Sequence, residues 1–461
     1  MIDFLVEQGV KMRRSPYWPD YHDRRDGGSE PGRTVIADLF DTNELGEWRD
    51  KLRPNFMAMP MYHHDGFEIS TMKSSLKSKL TMLKVGLQVT RDKLLGRKMA
   101  PAGAALQGRM LKAALHAGAD IRVNNAVRSF IREGDRIVGV IVDDNGVEKR
   151  IMARNGVLVN AGGFSHNQRM RDKYMPNTSA QWTAVPPGDT GEMIESLMEM
   201  GAASGQMNEC VGNPMSIPPG MESKGQGVDL GRISGQMSYS KPHSFIVDQS
   251  GVRYLNESQS YMTFGQQILT RHETVPAIPS WWVFDQQNYD NYMIGGTMPG
   301  APKPKEWYEN GFLKKAATIE ELATAIKVDP ATLRATADRF NGFARKGVDE
   351  DFDRGGSAYS RWLGDKYSKP SATLGTVEKG PFYAMPIYPA DVGTYGGVVT
   401  DEYARVLKED GTPFEGLYAT GTTTASVMGR IYPGAGASVG PSFVFGYIAA
   451  RHAAGTGNAP A

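Results

Sequence analysis

Residues 416–450, GLYATGTTTASVMGRIYPGAGASVGPSFVFGYIAA, constrain the fold more than any other stretch of the chain. A short apolar strand at 417–419 runs into Gly421, a loop of small residues follows, and Gly434, Gly436 and Gly440 lead into an apolar helix from about Pro441. Strand, glycine loop and helix N-terminus together make a cradle for an anionic ligand. Glycine lets backbone approach a ligand closely and adopt φ > 0, and the free amides at a helix start favour negative charge. The spacing is neither GxGxxG nor GxxxxGK[ST], so the glycines alone predict a ligand held close to backbone and nothing finer.

With 461 residues the chain has room for two or more domains with sizeable cores. Its net charge of +1 gives no reason to expect nucleic acid as a partner. Cys210 stands alone, which excludes an internal disulfide and a multi-cysteine metal site and fits a reducing cytoplasm. The eight histidines include the pair His63 and His64 but show no metal-ligand spacing, and no GxSxG elbow is present, so no metal site is expected. The apolar runs are too short to predict a membrane-spanning helix, and the first residues lack the order of a secretory signal. A soluble cytoplasmic α/β protein with an α+β insertion is expected.

Residues 13–33, RRSPYWPDYHDRRDGGSEPGR, read as a Pro/Gly-rich aromatic loop. Residues 73–98 hold eight Lys/Arg against one Asp, with Leu76, Leu80, Leu83, Leu87 and Leu94 at helical spacing. Such a basic helical cover either packs on the protein through its leucines or lies on an anionic membrane surface. A helix follows at 101–117 and a strand starts at 121–123. Hairpin strands then turn at 133–135 and 143–146, and a buried strand at 156–159 reaches Ala161, Gly162 and Gly163, the pattern of a switch point where an open α/β sheet binds ligands. GDTGEM at 188–193 starts a further helix, for which Asp189 and Thr190 are suitable caps. From 218 to 388 turns and short elements dominate, including a capping box at Thr318 and Glu321 and a helix over 329–345 with Pro330 in its first turn.

Several of these stretches, VMGRIYPGAGASVGP at 427–441, DYHDRRDGG at 20–28, NAGGFSHNQRMRDKY at 160–174, GVRYLNESQSYM at 251–262, VDEDFDRGGSAYSRW at 348–362 and DVGTYGG at 391–397, resemble in order the 3-ketosteroid Δ1-dehydrogenases of the fumarate reductase/succinate dehydrogenase flavoprotein superfamily. The resemblance implies a Rossmann-like FAD-binding domain made of 1–217 and 389–461, with a substrate domain inserted at 218–388. It implies FAD as cofactor, a 3-oxosteroid or similar cyclic ketone as substrate, and an external electron acceptor. The GxGxxG fingerprint that opens such flavoproteins is absent from residues 1–10, which resemble a helix well inside the relatives. The chain is therefore expected either to lack its first βαβ unit or to complete the cofactor site in another way. A cofactor-deficient form that binds ligand without turnover is a rival expectation, as is a flavin enzyme acting on another cyclic ketone.

By the same resemblance the cofactor contacts are Val127, Ala161, Gly162, Gly163, Thr190, Gly191, Gly421, Thr422, Ala437, Ser438 and Val439. Desaturating a ring beside a carbonyl needs an electrophile on the oxygen, a base for the α-proton and a hydride acceptor. The resemblance gives the carbonyl to Tyr432 with the amide of Gly436, the C2 proton to Tyr261, and support of Tyr261 to Tyr21, with Trp18 or Tyr17 as alternatives for the last. Flavin N5 takes the hydride. The chain departs from the family at Thr422, where Asn is usual, at Ala435, which replaces a proline, and at Arg430, which is expected to add charge near the substrate entrance.

Overall fold

The structure is a computed structural model that describes residues 1–53 and 59–456; the end of the expected 389–461 segment, 457–461, lies outside the described residues. Two sheets carry the fold. In the first, Pro413–Ala419 runs parallel to Val157–Val159, with Leu417 opposite Val157 and Ala419 opposite Val159. The strand also pairs in parallel with Arg136–Asp144 and antiparallel with Arg405–Leu407. Arg136–Asp144 is flanked by its hairpin partners Asn125–Glu133 and Val147–Met152, so both expected turns form. The strand expected at 121–123 starts instead at Asn125. Because Val157–Val159 and Pro413–Ala419 are parallel, the loops beginning at 160 and 420 leave the sheet side by side.

The second sheet is antiparallel, in the order Ser244–Val247, Ser280–Asp285, Phe382–Ile387, Lys314–Ala316. Its side chains alternate between two cores, as a pleated strand dictates. Phe245, Val247 and Val283 face Leu322, Leu333 and Phe340 of two covering helices, while Ile246, Trp282 and Phe284 face Phe264, Ile268 and Trp307. The covering helices, Ile319–Ile326 and Pro330–Lys346, have the expected starts. Thr318 accepts from the Glu321 amide at 3.2 Å, and Glu321 in turn accepts from the Ala317 amide at 3.0 Å, one residue earlier than a standard capping box.

The basic segment forms the helix Leu76–Leu94, started by Ser75, whose hydroxyl accepts from the Lys77 amide at 3.1 Å. Its leucines are not its packing face. Leu76, Leu80, Leu83, Leu87 and Leu94 are exposed, and Ser78, Val85 and Asp92 are buried in their place. Ser78 meets Glu68 and Thr71 of the preceding segment, a polar surface that accepts a serine and not a leucine. No helix among the described residues is long and apolar enough to cross a membrane.

Candidate active site

Three segments far apart in sequence bring tyrosines together. Tyr261 opens the helix Tyr261–His272, whose Met262, Phe264, Gly265 and Ile268 are buried. That helix lies unusually close to the strand Cys210–Gly212: a Cβ on Gly265 would stand 3.1 Å from the Gly212 Cα. Two facing glycines thus fix how deep Tyr261 sits. Gly265→Ala is expected to lift the helix by a few tenths of an ångström and lower kcat by about tenfold, with KM little changed, as steady-state kinetics would show.

Tyr21 comes from the aromatic loop. Its amide donates to the Pro433 carbonyl at 2.9 Å, tying that loop to the YPGAG turn. On the other side the Asp23 carboxylate accepts from the amides of Ala358 at 2.9 Å and Tyr359 at 3.4 Å. The ring centroids of Tyr21 and Tyr261 are 5.3 Å apart, those of Tyr261 and Tyr432 5.1 Å, and those of Tyr21 and Tyr432 5.7 Å. Tyr359 stacks on Tyr21 at 4.3 Å, and Tyr395 lies parallel to Tyr432 at 6.5 Å. Trp18, Phe67 and Trp362 extend the aromatic wall outward. The alternatives are thereby separated: Trp18 is part of this wall, and Tyr17 points its hydroxyl to Glu30 at 3.3 Å.

Burial pushes the Tyr261 phenol well above its ordinary value, and the neighbouring phenols of Tyr21 and Tyr432 add to the shift. Burial likewise raises Tyr21, with Tyr432 adding and the Tyr261 hydroxyl acting the other way. Tyr359 and Tyr395 are raised mainly by burial. The cluster as it stands holds its protons tightly.

Beside it lies a cavity of about 450 Å³ lined by Gly205, Gln206, Thr394, Tyr395, the 419–422 loop, Ala425, Ser426, Ala437 and Ser438. The Tyr432 hydroxyl is 3.4 Å from the Ser438 hydroxyl, so tyrosine cluster and cavity share a wall. Ser438 precedes the helix Val439–Ala453, in whose first turn Gly440 donates to the Gly436 carbonyl at 2.7 Å and Pro441 has no amide hydrogen. A second cavity of about 830 Å³, lined by Gly436 and Val439 among others, shares Val427, Ala437, Pro441 and Phe445 with the first. Gly436 has φ 92° and open space where a Cβ would stand, and it borders this second cavity. Gln206, which the sequence reading missed, has φ 54° and a buried side-chain carbonyl without a partner, while its amide nitrogen donates to the Ser426 carbonyl at 2.7 Å. An orphan acceptor, a helix N-terminus and a glycine-lined wall fit the polar edge of a flavin.

The remaining expected cofactor contacts are placed differently. Ala161 donates to the Thr423 hydroxyl at 2.9 Å, and the Gly163 amide is taken by Asp189. A Cβ on Gly162 would meet Asp189 at 2.5 Å, and one on Gly163 would meet Thr394 at 2.0 Å, so close packing already requires both glycines. Gly191 has φ 79° and starts the helix Glu192–Glu199, while Thr190 donates to Glu192. Val127 sits with an exposed side chain on Asn125–Glu133. None of these six lines the two cavities. Asp189 is not a cap but the anchor of this loop, also accepting from Ser165 at 3.0 Å. Gly421 and Thr422 do line the first cavity, and Gly421 needs its φ of 69° and its lack of a side chain because Asn160 stands 2.4 Å from the Cβ position. The charge expected from Arg430 is answered internally: its guanidinium pairs with buried Glu209 at 2.5 Å, and Gln266 of the tyrosine helix donates to Glu209 at 3.1 Å.

Comparison with known proteins agrees with this architecture. The FAD binding domain family matches residues 1–439. The 3-oxosteroid 1-dehydrogenase of Mycolicibacterium smegmatis is 36% identical over 99% of this chain and 81% of its own length. The 4-oxocyclohexanecarboxylate 2-dehydrogenase of Sinomonas cyclohexanicum is 32% identical over 99% of this chain and 77% of its own. Among solved structures, the 3-ketosteroid Δ1-dehydrogenase of Sterolibacterium denitrificans in complex with 1,4-androstadiene-3,17-dione superposes with a TM-score of 0.89 at 32% identity, over 99% of this chain and 83% of that one. With its α/β fold, its flavin-suited cleft and these relatives, the chain belongs to the FAD-binding 3-oxosteroid 1-dehydrogenase family.

Proposed function

We propose that the chain introduces a C1–C2 double bond into a 3-oxosteroid, with FAD bound along the cleft shared by the two cavities. The observation that carries this reading is the convergence of Tyr21, Tyr261 and Tyr432 within 5.7 Å of one another, ring to ring, against the wall of that cleft. Tyr432 donates to the 3-carbonyl and makes the C2 proton acidic. Tyr261, as phenolate, takes that proton and becomes a phenol. Tyr21 hydrogen-bonds the Tyr261 oxygen, and the positive end of the helix that Tyr261 opens favours the same charge. FAD, when bound, supplies the acceptor for the hydride from C1. Gly421, Thr422, Ala437, Ser438, Val439 and Gln206 hold it, and Val127, Ala161–Gly163, Thr190 and Gly191 shape the loops behind. Residues 218–388 serve as substrate domain because they contain the second sheet and its two cores.

A smaller ketone, such as the substrate that names the Sinomonas relative, is the second reading. The broad wall of Trp18, Phe67, Tyr359 and Trp362 favours a fused carbocycle instead. The test is anaerobic addition of a 3-oxo-4-ene steroid to the flavin-loaded protein: bleaching of the flavin absorbance supports the reading. Bleaching by 4-oxocyclohexanecarboxylate but not by the steroid replaces it with the second. The reaction also needs an external electron acceptor to begin again, and a water-insoluble substrate makes lipid contact through residues 73–98 part of the same reading.

A further inference from the structure

The run 430–433, RIYP, lies between Gly429 and Gly434 and has little of its own to hold it in place. Gly429 has φ 63°, and a glycine on each side leaves a short run free to shift. The position of Tyr432 is therefore set from outside. The Pro433 carbonyl accepts from the Tyr21 amide at 2.9 Å, the Ile431 carbonyl accepts from the Tyr395 hydroxyl at 3.5 Å, and Arg430 is held twice. Its guanidinium Nε meets Oε1 of Glu209 at 2.5 Å, and its carbonyl accepts from the Gln266 side-chain nitrogen at 3.2 Å. The same Gln266 nitrogen donates to Oε2 of Glu209 at 3.1 Å.

Glu209 is fixed at its own backbone. It is 5% exposed, its amide donates to the Gln206 carbonyl at 3.0 Å, and its carbonyl accepts from the Tyr395 amide at 2.9 Å. From that fixed point its two carboxylate oxygens reach two different elements, one the stretch that carries Tyr432 and the other the helix Tyr261–His272. A counter-ion for Arg430 would need only the first. The strand Cys210–Gly212 that follows meets the same helix again where Gly212 faces Gly265, so the helix is held at two neighbouring residues. Gln266 belongs to the proposed substrate domain, and Glu209 and Arg430 to the segments before and after it. We infer that Glu209 is a positioning residue that sets the spacing of Tyr261 and Tyr432, whose ring centroids stand 5.1 Å apart, across the boundary of the two proposed domains. The charged hydrogen bond from Arg430 supplies the stiffness that the glycines lack. The spacing stands on these contacts alone; its effect on rate rests on the proposed roles of the two tyrosines.

The experiment compares the flavin-loaded wild type with Glu209→Gln, Arg430→Met and the double variant, by steady-state kinetics on a 3-oxo-4-ene steroid and on 4-oxocyclohexanecarboxylate and by crystal structures of all four. Each single variant is expected to lower kcat by about 10- to 100-fold, the effect of a misplaced reacting group, with KM little changed and the two rings more than 5.1 Å apart. The double variant is expected to be no slower than the slower single, because both changes break one contact. Wild-type kcat in the single variants, a loss confined to KM, losses that multiply in the double variant, or rings that keep their separation overturn the inference. If the wild type turns over neither ketone, the 3-oxosteroid reading falls and the ring separations alone decide. Arg430→Met changes a side chain that is 74% exposed and carries the test if Glu209→Gln does not fold.

Discussion

Tyr261→Phe is expected to lower kcat by ~10²–10⁴-fold, the usual loss when a positioned proton acceptor is removed, while flavin absorbance and steroid affinity persist. The wild-type pH profile provides the control. Burial and the adjacent phenols raise the Tyr261 phenol well above its ordinary value, so its phenolate is scarce at neutral pH. kcat/KM is therefore expected to rise about tenfold per pH unit through the alkaline range, and a profile flat above pH ~7 would remove Tyr261 from the role. Stability runs the opposite way. Tyr21, Tyr261, Tyr359 and Tyr395 all have folded values above the unfolded one. Their contribution is fully present below about pH 10, the unfolded phenol value, and is lost as pH rises through the folded values. The pH that activates the base is thus the pH that loosens its surroundings, and urea melts at pH ~8 and ~11 are expected to show a lower midpoint at the higher pH.

Glu257→Ala is expected to destabilise the fold by about 3–5 kcal/mol, the range for leaving a buried charge without its partner. Glu257 is fully buried, accepts from both the Nε and one terminal nitrogen of Arg253 at 2.8 Å, and stands 3.2 Å from the guanidinium of Arg354. Asp349 holds the other side of Arg253 at 2.7 and 2.8 Å. Burial would raise the Glu257 carboxyl, but Arg253 and Arg354 outweigh it and hold it below the usual carboxylate range. Its contribution is present above the unfolded carboxylate value and is lost as pH falls through the folded one. Because Glu257 lies in the turn that leads into the helix opened by Tyr261, the variant is also expected to blur the position of the proposed base. Comparing its urea midpoint with that of Glu257→Gln separates charge from shape.

This cluster shows which parts of the sequence were legible. GVRYLNESQSYM and VDEDFDRGGSAYSRW read as functional motifs, yet their buried charged residues, Arg253, Glu257, Asp349 and Arg354, hold the protein together. Tyr359 and Tyr395 lay inside quoted motifs and were passed over, since a tyrosine in a string does not reveal what it stacks on. The glycine loop was legible because strand, glycines and helix start are consecutive. Gln206 was not, because its meaning lies in an unpartnered carbonyl beside a loop two hundred residues away. The basic helix could be located but not oriented from its leucines, because the polar surface at Glu68 and Thr71 that selects the packing face comes from another segment.

The aromatic loop has a consequence for the timing of the cycle. It is stitched to the YPGAG turn through Tyr21 and to the 358–359 amides through Asp23. Any motion that parts those two walls to release product must also pull Tyr21 away from Tyr261. In the proposed mechanism, opening of this loop and support of the proton acceptor are therefore coupled, so the open form is also the one in which Tyr261 loses its Tyr21 partner.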